Sequence, residues 1–232
     1  MTDPLDRPIW HALTGRQAAF AIGSGLVRRF RPDVSPFAAC ADNSSDALAA
    51  VAGLLGPNDR LLFLQRGVVA LPPGTHMIES GTGVQMVADG FVASAPPAGI
   101  VALGESDVAD MLALATLAEP GPFRARTPEL GQFWGVKDDA GGKRNGGRLL
   151  AMAGERLKLA GMSEVSGVCT HPDARGRGLA ALLSRHVASE IVRRGEVPFL
   201  HAYAANDGAI RLYEKLGFRR NGEVEALLVE RI

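Results

Sequence analysis

The chain has 232 residues, 47% of them apolar and 22% charged, with 25 Lys plus Arg against 25 Asp plus Glu. That is length and apolar content for one large or two small domains with a substantial core, and it excludes a disordered chain. A formal net charge of zero argues against a broad electrostatic nucleic-acid footprint and gives no ground for binding to an anionic membrane. The two cysteines, Cys40 and Cys169, lie far apart and outside any C-x-x-C spacing. They imply neither a zinc site nor a disulfide framework, and a reduced, cytoplasmic setting is expected. The first residues are acidic and lack a secretory apolar core, and no run approaches the ~20 apolar residues of a membrane span.

The first 95 residues read as an α/β segment without evident chemistry. Trp10-His11-Ala12-Leu13 leads into Gln17-Ala18-Ala19-Phe20-Ala21-Ile22, and residues 36–41 form an apolar run that suits a buried strand. Asn43, Ser44 or Ser45 can cap a helix whose apolar face holds Leu48, Val51, Leu54 and Leu55, and Gly56-Pro57 stops it. Residues 61–64 fit an inner strand, and 68–71 and 83–87 read as two more. No phosphate loop, metal-ligand spacing or nucleophile elbow occurs in this part.

Ala95-Pro96-Pro97-Ala98-Gly99 is the best linker. Residues 100–103 then form a strand, Ser106 or Asp107 opens a helix through Met111, Leu114 and Leu117, and Glu119-Pro120-Gly121-Pro122 ends it. Strands are expected at 133–136, 149–155, 163–170 and 198–203, with a polar, Gly-rich hairpin turn at 138–147. Leu179, Leu182, Leu183, Val187 and Ile191 recur at helical spacing between Gly176 and Arg194. Asn206 or Asp207 opens a last helix, Gly217 suits its left-handed C′ position, and 225–229 reads as a final strand.

The stretch that carries chemistry is Val168-Cys169-Thr170-His171-Pro172-Asp173-Ala174-Arg175-Gly176-Arg177-Gly178-Leu179-Ala180. It passes from a strand through a short loop into a helix start, where unpaired N–H groups and the positive end of the helix dipole attract phosphate. Gly176 and Gly178 lack a Cβ, so a ligand can approach the backbone. Arg-x-x-Gly-x-Ala after Val-Cys-Thr, followed by Asn206 and by Ala209-Ile210-Arg211-Leu212-Tyr213-Glu214-Lys215-Leu216-Gly217-Phe218, resembles the acyl-CoA loop and last helix of the GNAT acetyltransferase superfamily. The resemblance covers about residues 98–232.

That resemblance implies a mixed α/β sheet of GNAT type in residues 98–232, with residues 1–95 an additional α/β helper domain shaping the substrate side or a second copy of the same fold. It implies an enzyme that moves an acetyl group from acetyl-CoA, its donor substrate, to an amine acceptor without a metal. The pyrophosphate and pantetheine would contact Val168, Cys169, Thr170, Arg175, Gly176, Arg177, Gly178, Leu179, Ala180 and Asn206. A splayed or bulged strand at 168–170 would free a backbone N–H near Val168 for the thioester carbonyl. Tyr213 matches the family tyrosine that protonates the leaving thiolate, and a phenol of ordinary pKa ~10 carries the proton this role needs.

Strand alternation puts Glu164, Ser166 and Val168 on one face unless a bulge intervenes, and Cys169 on the other. Some members of the resembled family carry a glutamate at the matching position that acts directly or through water, so the resemblance makes Glu164 the candidate base, with Glu155 in reserve; many family members use water alone. Cys169 reads as a structural thiol, His171 as a turn residue and His201 as a strand residue. Residues 120–130, with Phe123, Arg124 and Arg126, would border the acceptor. Monomer and homodimer both remain open. Two rival readings exist. One is a non-catalytic acyl-CoA-binding module. The other is a dinucleotide-binding oxidoreductase, since Gly176-x-Gly178-x-x-Ala181 with Glu196 about 20 residues on formally fits that fingerprint; Glu196, however, precedes the next strand, where a ribose-binding acid would follow it.

Overall fold

The computed structural model describes residues 3–138 and 147–232. A small antiparallel sheet of β1 (Ala21–Ile22), β2 (Val27–Phe30) and β3 (Ala38–Cys40) packs with α1 (Pro8–Thr14) and α2 (Ser45–Ala50). Ser44 caps α2 through its side-chain oxygen, which accepts from the Ala47 N–H. The remaining strands are β4 (Arg60–Gln65), β5 (Thr75–Val87), β6 (Val101–Leu103), β7 (Phe133–Lys137), β8 (Leu149–Leu159), β9 (Met162–Thr170), β10 (Val197–Tyr203) and β11 (Arg219–Arg231). They form one eight-stranded sheet in the order β4-β11-β5-β10-β9-β8-β7-β6. Helix α3 (Val108–Ala118) follows β6, α4 (Leu179–Arg193) joins β9 to β10, and α5 (Asp207–Lys215) joins β10 to β11.

Most elements follow the hydrophobic pattern. Leu179, Leu183, Val187 and Ile191 put one face of α4 into a core with Val84, Met86, Leu150, Val165 and Leu200 from the sheet and Ile210, Tyr213 and Phe218 from the last helix and its exit. Gly217, at φ 98°, takes the C′ position of α5, and the Phe218 N–H reaches back to the Tyr213 carbonyl at 3.0 Å. The opposite face of the sheet is filled by the N-terminal part: Ile9, Leu13, Phe30, Val34 and Phe37 pack with Leu157, Leu159 and Phe199.

Three strand expectations change. Residues 68–71 are irregular, and Val68 and Leu71 are exposed. The strand expected at 83–87 begins at Thr75, and the one expected at 225–229 begins at Arg219. The sheet also runs across the 95–99 segment, because β5 lies between β10 and β11 and pairs antiparallel with both. The Gly-rich turn expected at 138–147 lies almost wholly outside the described residues.

Candidate active site

Among the described residues the only parallel pairing between strands of the large sheet is β9 with β10, and it is short: Val197↔Met162, Pro198↔Ser163 and Phe199↔Glu164. Beyond Glu164 the two strands separate into a fork. On the other side of β9 a bulge sets Gly167 and Val168 against Ala153 alone, since Gly154 pairs Ser166 and Met152 pairs Cys169. Gly167 holds φ 62°, a left-handed conformation that glycine adopts without a Cβ penalty. The Phe133 ring lies over Gly154 and Gly167: a Cβ at either would come within 2.4 Å or 2.8 Å of it. Phe123 meets Phe133 edge-on at 5.6 Å.

The bulge overturns the expected alternation. Val168 packs toward the α4 side, with Ala151, Ala153 and Val165. Cys169 packs toward α3, with Met111, Phe133 and Met152. Val168 therefore leaves the face of Glu164, and Cys169 joins it. Burial pushes the Cys169 thiol up to about 12, which makes it inert as a nucleophile.

At the open end of β9, Thr170, Arg175, Gly176, Gly178, Leu179 and Ala180, with Ala174, Ala181 and Leu212, line a groove of about 290 Å³. Gly176 and Gly178 hold φ 77° and 74°, and a Cβ at either would enter open space. No side chain caps α4, so the first-turn N–H groups lack a partner within the helix. Arg175 and Arg177 are exposed, and neither makes an ion pair among the described residues. This end combines backbone donors, a helix dipole and free guanidinium groups, the chemistry that holds a pyrophosphate. Asn206 lies outside that lining and N-caps α5, its Oδ1 accepting from the Ala209 N–H at 3.0 Å. His171 is a turn residue, its Nδ1 accepting from the Asp173 N–H.

Tyr213 is 8% exposed and packs on Phe218 beside α4. Burial pushes its phenol up to about 12. The group is thus a protonated phenol behind the groove wall formed by its neighbour Leu212.

Glu164 has a setting that the sequence did not suggest. It is fully buried, and its two oxygens accept four N–H bonds. These come from Arg156 Nε (2.9 Å) and Nη2 (2.8 Å), the Leu157 backbone (3.2 Å) and His201 Nδ1 (2.8 Å). Burial alone would raise its pKa, but the Arg156 charge and the bonds from His201 and Arg156 outweigh that and leave it at about 2. A carboxylate held so far below the usual range is a poor proton acceptor. Its immediate work is to complete a second bulge, where Arg156 and Leu157 oppose Glu164 between the Glu155↔Val165 and Lys158↔Ser163 pairs. Gln17 satisfies the rest of that bulge, donating to the Arg156 carbonyl at 2.7 Å and accepting from the Lys158 N–H at 3.1 Å. Phe37 covers the Arg156 guanidinium at 4.8 Å. Glu155, the reserve base, is buried against Arg194 and Lys158 on the opposite face.

The segment expected to border the acceptor is docked on the N-terminal part. The Arg126 guanidinium pairs with Asp33 and Glu129 at 2.8 Å and 2.6 Å, and the Thr127 hydroxyl donates to the Val34 carbonyl at 2.7 Å. Glu196 immediately precedes β10 and pairs with Arg16 at 2.8 Å, so it does not occupy a ribose site. A sheet in which one strand pair is parallel among the described residues is not the doubly wound frame of a dinucleotide enzyme. Among the described residues no cluster of metal-binding side chains occurs, and no helix is long and apolar enough to cross a membrane.

A family model described as FR47-like protein matches residues 142–227. Among solved structures, a protein of Novosphingobium aromaticivorans assigned as an acetyltransferase from the GNAT family is 48% identical over 100% of both chains, with a TM-score of 0.91. A GCN5-related N-acetyltransferase from Kribbella flavida is 19% identical over 96% of this chain and 91% of its own, with a TM-score of 0.58. A tandem GNAT protein from the clavulanic acid biosynthesis pathway is 15% identical over 88% of this chain and 77% of its own, with a TM-score of 0.52. No curated protein matches the chain. The mixed sheet, with its fork and glycine-loop helix, has the GNAT acetyltransferase fold. On the identity that runs its full length, the chain belongs to the GNAT family.

Proposed function

We propose that the protein transfers an acetyl group from acetyl-CoA to an amine by direct attack in a ternary complex. The observation that carries this reading is the continuity of the fork between β9 and β10 with the groove at the start of α4. In it, the pyrophosphate rests on the first-turn N–H groups and on Arg175 and Arg177, and the pantetheine arm runs down β9. The bulged N–H near Val168 polarises the thioester carbonyl. Tyr213 is the acid for the leaving thiolate in this reading: burial keeps its phenol protonated, and the hydroxyl has to reach past Leu212 to give the proton up.

Residues 98–232 supply the donor site in this reading. Residues 1–95 shape the acceptor side, through the Arg126 and Thr127 contacts with Asp33 and Val34. The amine then lies in a groove between the two, and the unpaired cysteines suit a reducing cytoplasm.

Calorimetric titration with acetyl-CoA, with NAD as control, tests the reading. Wild type binds acetyl-CoA and not NAD. Gly178→Glu, whose side chain enters open space at the groove, loses that binding because its charge repels the pyrophosphate and its Cβ strains the left-handed backbone there. Binding that is absent in wild type, or unchanged in the variant, refutes the reading.

A further inference from the structure

The bridge across the root of the fork contains one group that the chemistry above does not use. His201 lies two residues beyond Phe199, the last residue of β10 paired with β9, so it is level with Ser166, where the strands have already parted. Its ring spans from β9 to β5. Nδ1 is 2.8 Å from Glu164 Oε1, and Nε2 is 3.0 Å from Gln85 Nε2. The orientation of Gln85 is fixed independently. Its Oε1 accepts from Asn221 at 2.9 Å and from Arg66 at 3.3 Å, and its amide nitrogen donates to the Leu5 carbonyl at 2.9 Å. Gln85 therefore directs an N–H at His201 Nε2, while the Glu164 carboxylate requires an N–H at Nδ1. The ring that satisfies both is the neutral Nδ1–H tautomer, with its free electron pair on Nε2.

We propose that His201 is the base of the acetyl transfer, with Glu164 and Gln85 as positioning residues that fix its tautomer; this rests on the acetyltransferase reading above. The incoming amine displaces the Gln85 N–H from Nε2. His201 is about two residues below Val168 along the fork, a rise that the bulge at Gly167 shortens below the roughly 7 Å of a regular strand. An amine that enters between them, in place of the Gln85 N–H, faces the ring and the thioester carbon together. The amine nitrogen forms the new bond to the acetyl carbon and gives one proton to Nε2. The carbon–sulfur bond breaks, and the thiolate takes a proton from Tyr213. The products are the amide, CoA, an imidazolium and a phenolate, and the last two are reset by proton exchange. Glu164 stabilises the imidazolium in place, as a buried carboxylate behind a catalytic imidazole does. The charged groups around the ring are Glu164 on β9, Arg156 on β8 behind it, and Arg66, reached through the Gln85 carbonyl and paired with Asp6 at 3.1 Å.

The test compares wild type with His201→Gln. It measures acetyl-CoA affinity by calorimetry and amine-dependent CoA release across pH, with a small alkylamine, lysine, an aminoglycoside and a peptide with a free N-terminus. The variant is expected to bind acetyl-CoA as wild type does, to lose roughly 100-fold or more in kcat, and to lose the low-pH limb of kcat/KM. A merely structural histidine leaves that limb in place. A variant with wild-type kcat and an unchanged limb overturns the His201 proposal while leaving the acetyltransferase reading intact. Wild type that binds acetyl-CoA but releases CoA with none of these amines overturns both. Nitrogen NMR of the wild-type histidines needs no variant: an Nδ1–H tautomer at His201 supports the proposal, and an Nε2–H tautomer overturns it.

Discussion

Replacing Glu164 by Gln keeps the shape of the side chain and removes its charge, so it isolates what the buried carboxylate does. The native oxygens accept four N–H bonds, two of them from a guanidinium that is itself buried beneath Phe37. A glutamine offers one carbonyl and turns two N–H groups toward the remaining donors, leaving Arg156 without its counter-charge. Breaking one partner of a buried pair costs about 3–5 kcal/mol, which for a chain of this length lowers Tm by about 6–20 °C. The same contacts make stability depend on pH. The folded pKa is about 2, below the ordinary 4.5 of a glutamate. The group's contribution is therefore fully present above the unfolded value and is lost as pH falls from there toward 2. That difference corresponds to roughly 3 kcal/mol. Urea and thermal unfolding of both proteins at pH 7, 4 and 3 provide the assay. The gap between wild type and Glu164→Gln should be widest at pH 7 and close as pH falls. A gap under about 1 kcal/mol at pH 7, or one that does not change with pH, refutes the account of a buried, ionised carboxylate clamping Arg156.

Tyr213→Phe should keep acetyl-CoA affinity and melting temperature close to wild type while lowering kcat by about 100-fold, measured as amine-dependent CoA release; unchanged turnover removes Tyr213 as the acid. Gly167→Ala forces a side chain into a left-handed backbone position with its Cβ 2.8 Å from the Phe133 ring. It should destabilise the fold by roughly 1–3 kcal/mol and weaken acetyl-CoA binding as the bulge shifts; a variant that melts and binds like wild type shows that the bulge does not depend on this glycine.

What the sequence reveals about this molecule is what is local. The glycine loop is legible because its glycines, its strand and the α4 apolar stripe are contiguous, and the α5 boundaries are legible because Asn206 and Gly217 are capping residues. Long-range pairings leave no such mark. Residues 76–82 of β5 are exposed, so they carry no alternation by which a strand start could be recognised. Nothing in them announces that the strand inserts between two strands more than 100 residues downstream. The bulge at Gly167 and Val168 exchanges the faces of the residues after it, which a strict two-residue period cannot anticipate. Glu164 looks like an exposed strand acid only until its partners are known. Arg156 is 8 residues away, His201 is 37 away, and Gln85, which completes the chain through His201, lies 116 residues from that histidine.

Those distances also explain how the N-terminal part reaches the fork. β10 and β11 do not pair with each other; each pairs with β5, and β5 reaches them from before the irregular segment at 95–99. Without β5, the strand that bears His201 has a neighbour only along its three residues paired to β9, and β11 is joined only to β4, itself N-terminal. The same segment supplies Gln17 to the bulge at Arg156, Phe37 to its guanidinium and Gln85 to the His201 ring. One side of the fork is thus built from the sequence that carries the acyl-CoA motifs, and the other is held in place by the sequence that carries none. The second contribution consists of backbone pairing and buried amides, which no short motif records, and it sets the geometry in which the first can act.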